Sequence, residues 1–404
     1  MVPLYITPIF SPISPQHAKD RVISKIDGTF LLSLADLQAG TVKPDPKDLL
    51  VLLVGSGGTE NIVKDLVANG QVTSPIRLLT YDESNSLPAA LETRAYLRSI
   101  GLECQITHRT LESLSSVVTD WSRYLEVVNQ VENTRLGILG EPSEWLIASH
   151  VDKDEVRSRW GLQLVELEMN DLSPNNKSSD DSLLAGLTQS AQSSLVPSTE
   201  LGKADALANQ LQEVVKKHQL QGFTIRCFDL LQGHDVSACL ALSELNNQGV
   251  VAGCEGDVPA AFTMLLVRLL TGEPSFMANL THYNSENNTL NLAHCTVPTT
   301  MLDGYSLMTH FETDRSVAVK GQFQTKQPVT ILKVWGRALD KWIIRKGILV
   351  ENLTSEKACR TQVVVRLVNE SVEDFMDEAL ANHHILVRGD HVQELNNFLR
   401  FVLH

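Results

Sequence analysis

Residues 249–298 read GVVAGCEGDVPAAFTMLLVRLLTGEPSFMANLTHYNSENNTLNLAHCTVP. Val250-Val251-Ala252-Gly253 has the character of an apolar strand, Cys254-Glu255-Gly256-Asp257 of a turn, and the apolar run from Pro259 to Leu270 of a helix. Glycine at 253 and 256 lets the backbone turn tightly where the strand stops. Open α/β sheets place ligands at such strand-to-helix corners, and Glu255 and Asp257 sit at this one. Downstream come Asn279 and then His294, which ends an alternating strand (Thr289, Asn291, Ala293 against Leu290, Leu292). Hard oxygen donors with an imidazole suit Mn²⁺ or Mg²⁺ better than a thiolate-seeking metal. The same carboxylates also suit a plainer task, capping the helix and complementing its positive end.

Strand and helix alternate on the N-terminal side as well. Pro3-Leu4-Tyr5-Ile6 is short enough for an edge strand, and from Asp48 the run LLVLLV ends in Gly55-Ser56-Gly57-Gly58. No Lys-Ser/Thr follows those glycines and the GxGxxG spacing is absent, so they read as a strand–turn–helix corner and not as a nucleotide site. Strands are expected at Ile76–Thr80, Cys104–Thr107, Arg135–Gly140 and Leu162–Glu166, with helices over Leu87–Ile100 and Leu111–Val131. This βαβα order predicts a parallel sheet covered by helices. Asn85 and the patch Ser143-Glu144-Trp145 fall just past strand ends. Asn85 and Ser143 are read either as helix caps or, with Trp145, as the lining of a sugar pocket.

Composition shifts to Ser, Asn, Asp and Gln between Leu172 and Thr199, which marks a linker or insert. Alternation then resumes with a helix over Lys203–His218, a strand over Phe223–Asp229 and a helix over Val236–Asn246. After Pro298 the pattern turns to β: Tyr305–Glu312, Ser316–Gln322, Val329–Trp335, Trp342–Leu349 and Thr361–Val368 alternate or carry β-branched residues. The expected fold is α/β, with parallel-sheet Rossmann-like N-terminal (1–170) and middle (200–298) domains, a linker at 171–199, and a β-rich, barrel-like C-terminal domain (299–404). In that last domain Arg360 suits a sugar or anion contact, or equally a surface ion pair. His383 and His384 open a strand, where adjacent side chains face opposite ways, so at most one can enter a site.

A net charge of −14 over 404 residues argues against nucleic acid or an anionic membrane as partner. No stretch has the apolar length of a membrane span, and the proline-broken N-terminus lacks the positive start of a signal peptide. Six scattered cysteines without a CxxC pair suit reduced, buried thiols, and hence a cytoplasmic protein.

Cys254-Glu255-Gly256-Asp257, Leu270-Thr271-Gly272, Phe276-Met277-Ala278-Asn279 and Ala293-His294-Cys295, with Asn382-His383-His384 and Arg388-Gly389-Asp390, resemble the metal-site half of the L-fucose isomerase and L-arabinose isomerase superfamily. The likeness is to its short fucose isomerase-like members. It implies a metal-dependent aldose–ketose isomerase acting through an ene-diolate on a small-molecule sugar, in a homo-oligomer that is trimer-based. Carried over, it makes Glu255 a ligand and the catalytic base, and Asp257 the second catalytic acidic residue. Asn279, His294 and His384 become further ligands to Mn²⁺ or another divalent ion. His383, Arg360, Asn85, Ser143 and Trp145 become substrate contacts. Asn279 stands where a second ligand carboxylate is expected; an amide oxygen can coordinate but cannot act as a base. A chain that kept the fold without the chemistry would instead be a sugar-binding or regulatory protein.

Overall fold

A strand with no polar face needs cover on both sides, and the run Leu49–Val54 has it. The computed structural model describes residues 3–45, 48–73, 75–172, 182–379 and 381–403. The chain forms two compact units that part near Asn129. In the first, β1 (Leu4–Ile9), β2 (Leu49–Val54), β3 (Ile76–Tyr81) and β4 (Cys104–Arg109) make a four-stranded parallel sheet in that order. Helices α1 (Glu60–Ala68) and α2 (Ser86–Ser99) follow β2 and β3. Val63, Leu66, Ala90 and Leu97 pack with Leu52, Val54 and Leu78 in one core.

The second unit holds a second parallel sheet: β5 (Arg135–Leu139), β6 (Gln163–Leu167), β7 (Gly222–Ile225) and β8 (Val251–Cys254), in the order β6-β5-β7-β8. Strand β7 stops at Ile225, short of the predicted Asp229, and α3 (Cys227–Gly233) begins at once. The Arg226 Nε donates to Asp229 Oδ1 at 2.9 Å, an i,i+3 pair that suits a helical turn and not a strand. Between β7 and β8 also lies α4 (Cys239–Asn247), and after β8 comes α5 (Val258–Thr271), which is buried on nearly every face. Of the predicted linker, residues 173–181 lie outside the described residues; its remainder includes a short helix (Ala185–Ser190) and Ser193–Ser194, paired with Gly304–Met308.

The predicted barrel is present and closed. Its strands are β9 (Ser275–Asn284), β10 (Thr289–His294), β11 (Pro328–Trp335), β12 (Lys341–Asn352), β13 (Thr361–Leu367) and β14 (His384–Arg388), all antiparallel, in the order β9-β10-β13-β12-β11-β14. It takes two strands from before Pro298. The hairpin β9–β10 therefore belongs to the barrel, and α5 and the loop after it link the parallel sheet directly to the barrel. Register sets Asn279 against Ala293, Ala278 against His384, and His294 against Thr361, so Asn279, His294 and the residue before β14 gather at one rim.

Candidate active site

Where β8 ends, the chain turns through Glu255 and Gly256, both with positive φ (61° and 71°). A β-carbon on Gly256 would lie 2.6 Å from Pro142 Cα and 2.8 Å from Glu141 O, so this turn is built against the 141–143 loop. The Ser143 N–H donates to Glu255 O at 3.0 Å across the same contact. A non-glycine residue held at positive φ carries strain that the surroundings must sustain, a condition that recurs at functional sites. Asp257 then caps α5, its Oδ1 accepting from Ala260 N at 2.9 Å. The plain capping role is thus real for Asp257. Glu255 is left over, pointing elsewhere.

Its carboxylate is buried and shared. Trp145 Nε1 donates to Glu255 Oε2 at 2.7 Å, while Oε1 lies 3.4 Å from His383 Nε2 and 3.8 Å from His294 Nε2. The two imidazole rings meet edge to face, centroids 5.6 Å apart. Behind them, His383 Nδ1 donates to Asp257 Oδ2 at 2.8 Å, and His294 Nδ1 sits 3.0 Å from Thr296 Oγ1. Each histidine is held by one nitrogen so that the other faces Glu255, the outer-shell arrangement that orients metal-binding imidazoles. His383 Nε2 is buried with no hydrogen-bond partner, although such atoms are normally satisfied. Glu255, His294 and His383 offer ligand atoms within 4.8 Å of one another. One carboxylate oxygen and two imidazoles fit a divalent cation, and the orphaned nitrogen is what such an ion would satisfy.

Charge follows the same geometry. Burial pushes the Glu255 carboxyl up, but His294 and His383 outweigh it and hold it well below the ordinary range. Asp257, fully buried, is likewise pushed up by burial and brought down further by Lys333 and His383. Burial opposes the imidazolium of His383, yet Asp257 and Glu255 raise it to about 9. Lys333 is fully buried on β11: its Nζ lies 3.9 Å from Asp257 Oδ2 and donates to the carbonyls of Asn382 and, at 3.1 Å, His383. That grip fixes the turn in which His383 adopts φ 60°.

The structure reverses the expected order of the paired histidines. His383 precedes β14 instead of opening it, and its ring stands beside Glu255. His384, the first residue of the strand, packs on Phe375 with centroids 5.3 Å apart. Burial, helped by Lys333 and His383, lowers His384 to about 3, so it is a neutral core residue. Asn279 Oδ1 accepts from Asn382 Nδ2, and both line a cavity of about 540 Å³ with Trp145, Arg226, Glu255 and Glu312. Ser143 lines it too, while Trp145 is 54% exposed with its ring edge on Phe228. Arg360 lies apart from it, bound to Thr309 and Asp314. Asn85 belongs to the first unit, where it lines a cavity of about 740 Å³ whose single carboxylate is Glu60. Neither Asn85 nor Ser143 caps a helix with its side chain: Asn85 makes no such bond and no helix follows Ser143.

Lys333, Arg226, Asn382 and Glu312 were not expected from sequence. For Lys333 a signal existed, since a lone lysine in the apolar run Val329–Trp335 must find a buried partner. The other three sit in turns, where spacing says little.

The chain resembles sulfoquinovose isomerases. It is 23% identical to that of Alkalicoccus urumqiensis over 295 residues, which cover 69% of this chain and 65% of the relative. The likeness to that of Priestia aryabhattai is 21% over 177 residues, covering 42% of this chain and 40% of the relative. The chain thus spans less than two-thirds of the length of these curated relatives. No family model matches it. No helix among the described residues is long and apolar enough to cross a membrane.

Proposed function

We propose that the chain is a metal-dependent aldose–ketose isomerase. The observation that carries this is the buried Glu255–His294–His383 group, in which His383 Nε2 makes no hydrogen bond and lies 3.4 Å from Glu255 Oε1, with Glu255 lining a cavity of a size that suits a small sugar. The names of the relatives support isomerisation of a sugar as the reaction class.

Glu255, His294 and His383 would hold the ion, Mn²⁺ in this reading, with the Asn279 amide oxygen as a further donor. Bound there, a divalent ion supplies Lewis-acid polarisation of the sugar carbonyl, which acidifies the C2–H. Glu255 then takes the C2 proton on its carboxylate and returns it to C1. A carboxylate is a weak base, so it acts on a C–H acidified in this way. Trp145 fixes Glu255 Oε2 through its indole N–H and presents its exposed ring to the sugar. Asp257 holds His383 in orientation and does not touch the substrate.

Chelator-stripped protein is expected to bind Mn²⁺ in a calorimetric titration, and Glu255→Ala to abolish that binding. With sugar added in D₂O, the protein is expected to incorporate deuterium at C2. Tight ion binding without exchange on any sugar would sink the catalytic reading.

A further inference from the structure

We propose that Glu312 is the second acid–base residue of the site, replacing the carboxylate that Asn279 lacks. This rests on the isomerase reading above. Converting an aldose to a ketose moves two protons. The C2–H electrons form the C1=C2 bond while the carbonyl π electrons take a proton at O1. In the second half, C1 gains a proton and the O2 hydroxyl loses one, leaving the C2 carbonyl. Glu255 accounts for the carbon proton. A second group must give a proton to O1 and take one from O2, with no net gain or loss and no redox partner.

Asp257, Glu144, Asp229 and Glu312 are the other carboxylates around Glu255 and its cavity. Asp257 is fully buried, and its oxygens are engaged by Ala260 N and His383 Nδ1. Glu144 and Asp229 line the cavity but both bind the guanidinium of Arg226, which also donates to Pro142 O at 3.1 Å. Asn279 is an amide and cannot exchange a proton at neutral pH. Glu312 is different: among the described residues its carboxylate takes no hydrogen bond and no ion pair. It lines the main cavity and also a smaller one of about 30 Å³ reaching inward past His294, and it shares both with Glu255 and Asn279.

The loop that carries it is held from behind. Arg360 Nε donates to Thr309 O at 2.8 Å, and its Nη2 to Thr309 Oγ1 and Asp314 Oδ1, each at 3.2 Å. The same guanidinium lies over the Phe311 ring, 5.9 Å from its centroid, and His310 is buried with its ring edge against Phe228. Asp314 N donates to His310 O at 2.9 Å to close the turn. Thr309, His310, Phe311 and Asp314 all anchor the loop, which leaves Glu312 as the carboxylate presented to the cavity.

The test uses the full chain with Mn²⁺ in D₂O and, as probes, L-arabinose, L-fucose and sulfoquinovose. Glu312→Gln is expected to lower kcat by about a hundredfold or more, the scale of a lost acid–base group, with KM and Mn²⁺ affinity within about threefold. Adding Asn279→Glu to that variant is expected to restore about tenfold of kcat by returning a carboxylate to the same wall. Because Glu312 is exposed, thermal unfolding should be unmoved. Wild-type kcat in Glu312→Gln, with Glu255→Gln inactive, would overturn the role of Glu312 and leave the isomerase reading standing. No exchange by the wild-type chain on any probe would overturn both.

Discussion

Asp257 caps α5, orients His383 and faces the buried ammonium of Lys333, so a change there reports on all three at once. Asp257→Asn keeps the shape but weakens the acceptor behind His383. Outer-shell losses of this kind cost about 10–100-fold in metal affinity, so Mn²⁺ titration of the variant should show a drop in that range. The pH dependence of the metal-free protein follows from the same group. His383 is raised from 6.5 to about 9 in the folded state, so its contribution is complete below pH 6.5 and is lost as pH climbs through 9. Glu255 and Asp257 are lowered, so their contribution is present at neutral pH and is lost on acidification. Denaturant unfolding of the chelated protein should therefore show stability falling from pH 7 to 10, by about 3 kcal/mol at most. Mn²⁺ should flatten that slope, because ligation replaces the proton on His383.

At the scale of elements, the corner between β8 and α5 was legible because a strand, a glycine turn and an apolar helix leave a local signature. Gly256→Ala tests how tightly it is built: the added carbon meets Pro142 and Glu141 at positive φ. We expect a loss of about 1–3 kcal/mol in thermal or denaturant unfolding, with Mn²⁺ affinity falling alongside as Glu255 shifts. The choice between His383 and His384 was not legible, because period-2 alternation says that neighbours diverge but not which one faces inward. Lys333 settles it by gripping the two carbonyls before β14 from a different strand. Lys333→Met should cost about 3–5 kcal/mol, as removing one partner of a buried pair does. Combined with Asp257→Asn it should cost clearly less than the sum, a coupling that a double-mutant cycle would read out.

On the scale of the whole molecule, α/β alternation and the late shift to β patterning announced parallel sheets and a barrel, but not that β5 and β6, expected with the first sheet, pair with β7 in the second. What composition could not show is that the barrel borrows β9 and β10 from before Pro298, since barrel closure depends on pairings such as His294 with Thr361 that are distant in sequence. The site inherits that long range: Trp145 reaches Glu255 across 110 positions and Asp257 reaches His383 across 126. A ligand that binds only the folded form stabilises it by mass action, so Mn²⁺ at about a hundred times its dissociation constant should add about 2.7 kcal/mol to unfolding. The order of synthesis adds a further consequence. Chains are made and domains fold from the N-terminus, so Glu255 and His294 exist well before His383, which arrives just ahead of the barrel strand β14. A nascent chain, or one truncated before His383, lacks part of the Glu255–His294–His383 group. On the proposed reading, metal uptake would be a late checkpoint in the life of the polypeptide, open only to chains synthesised through His383.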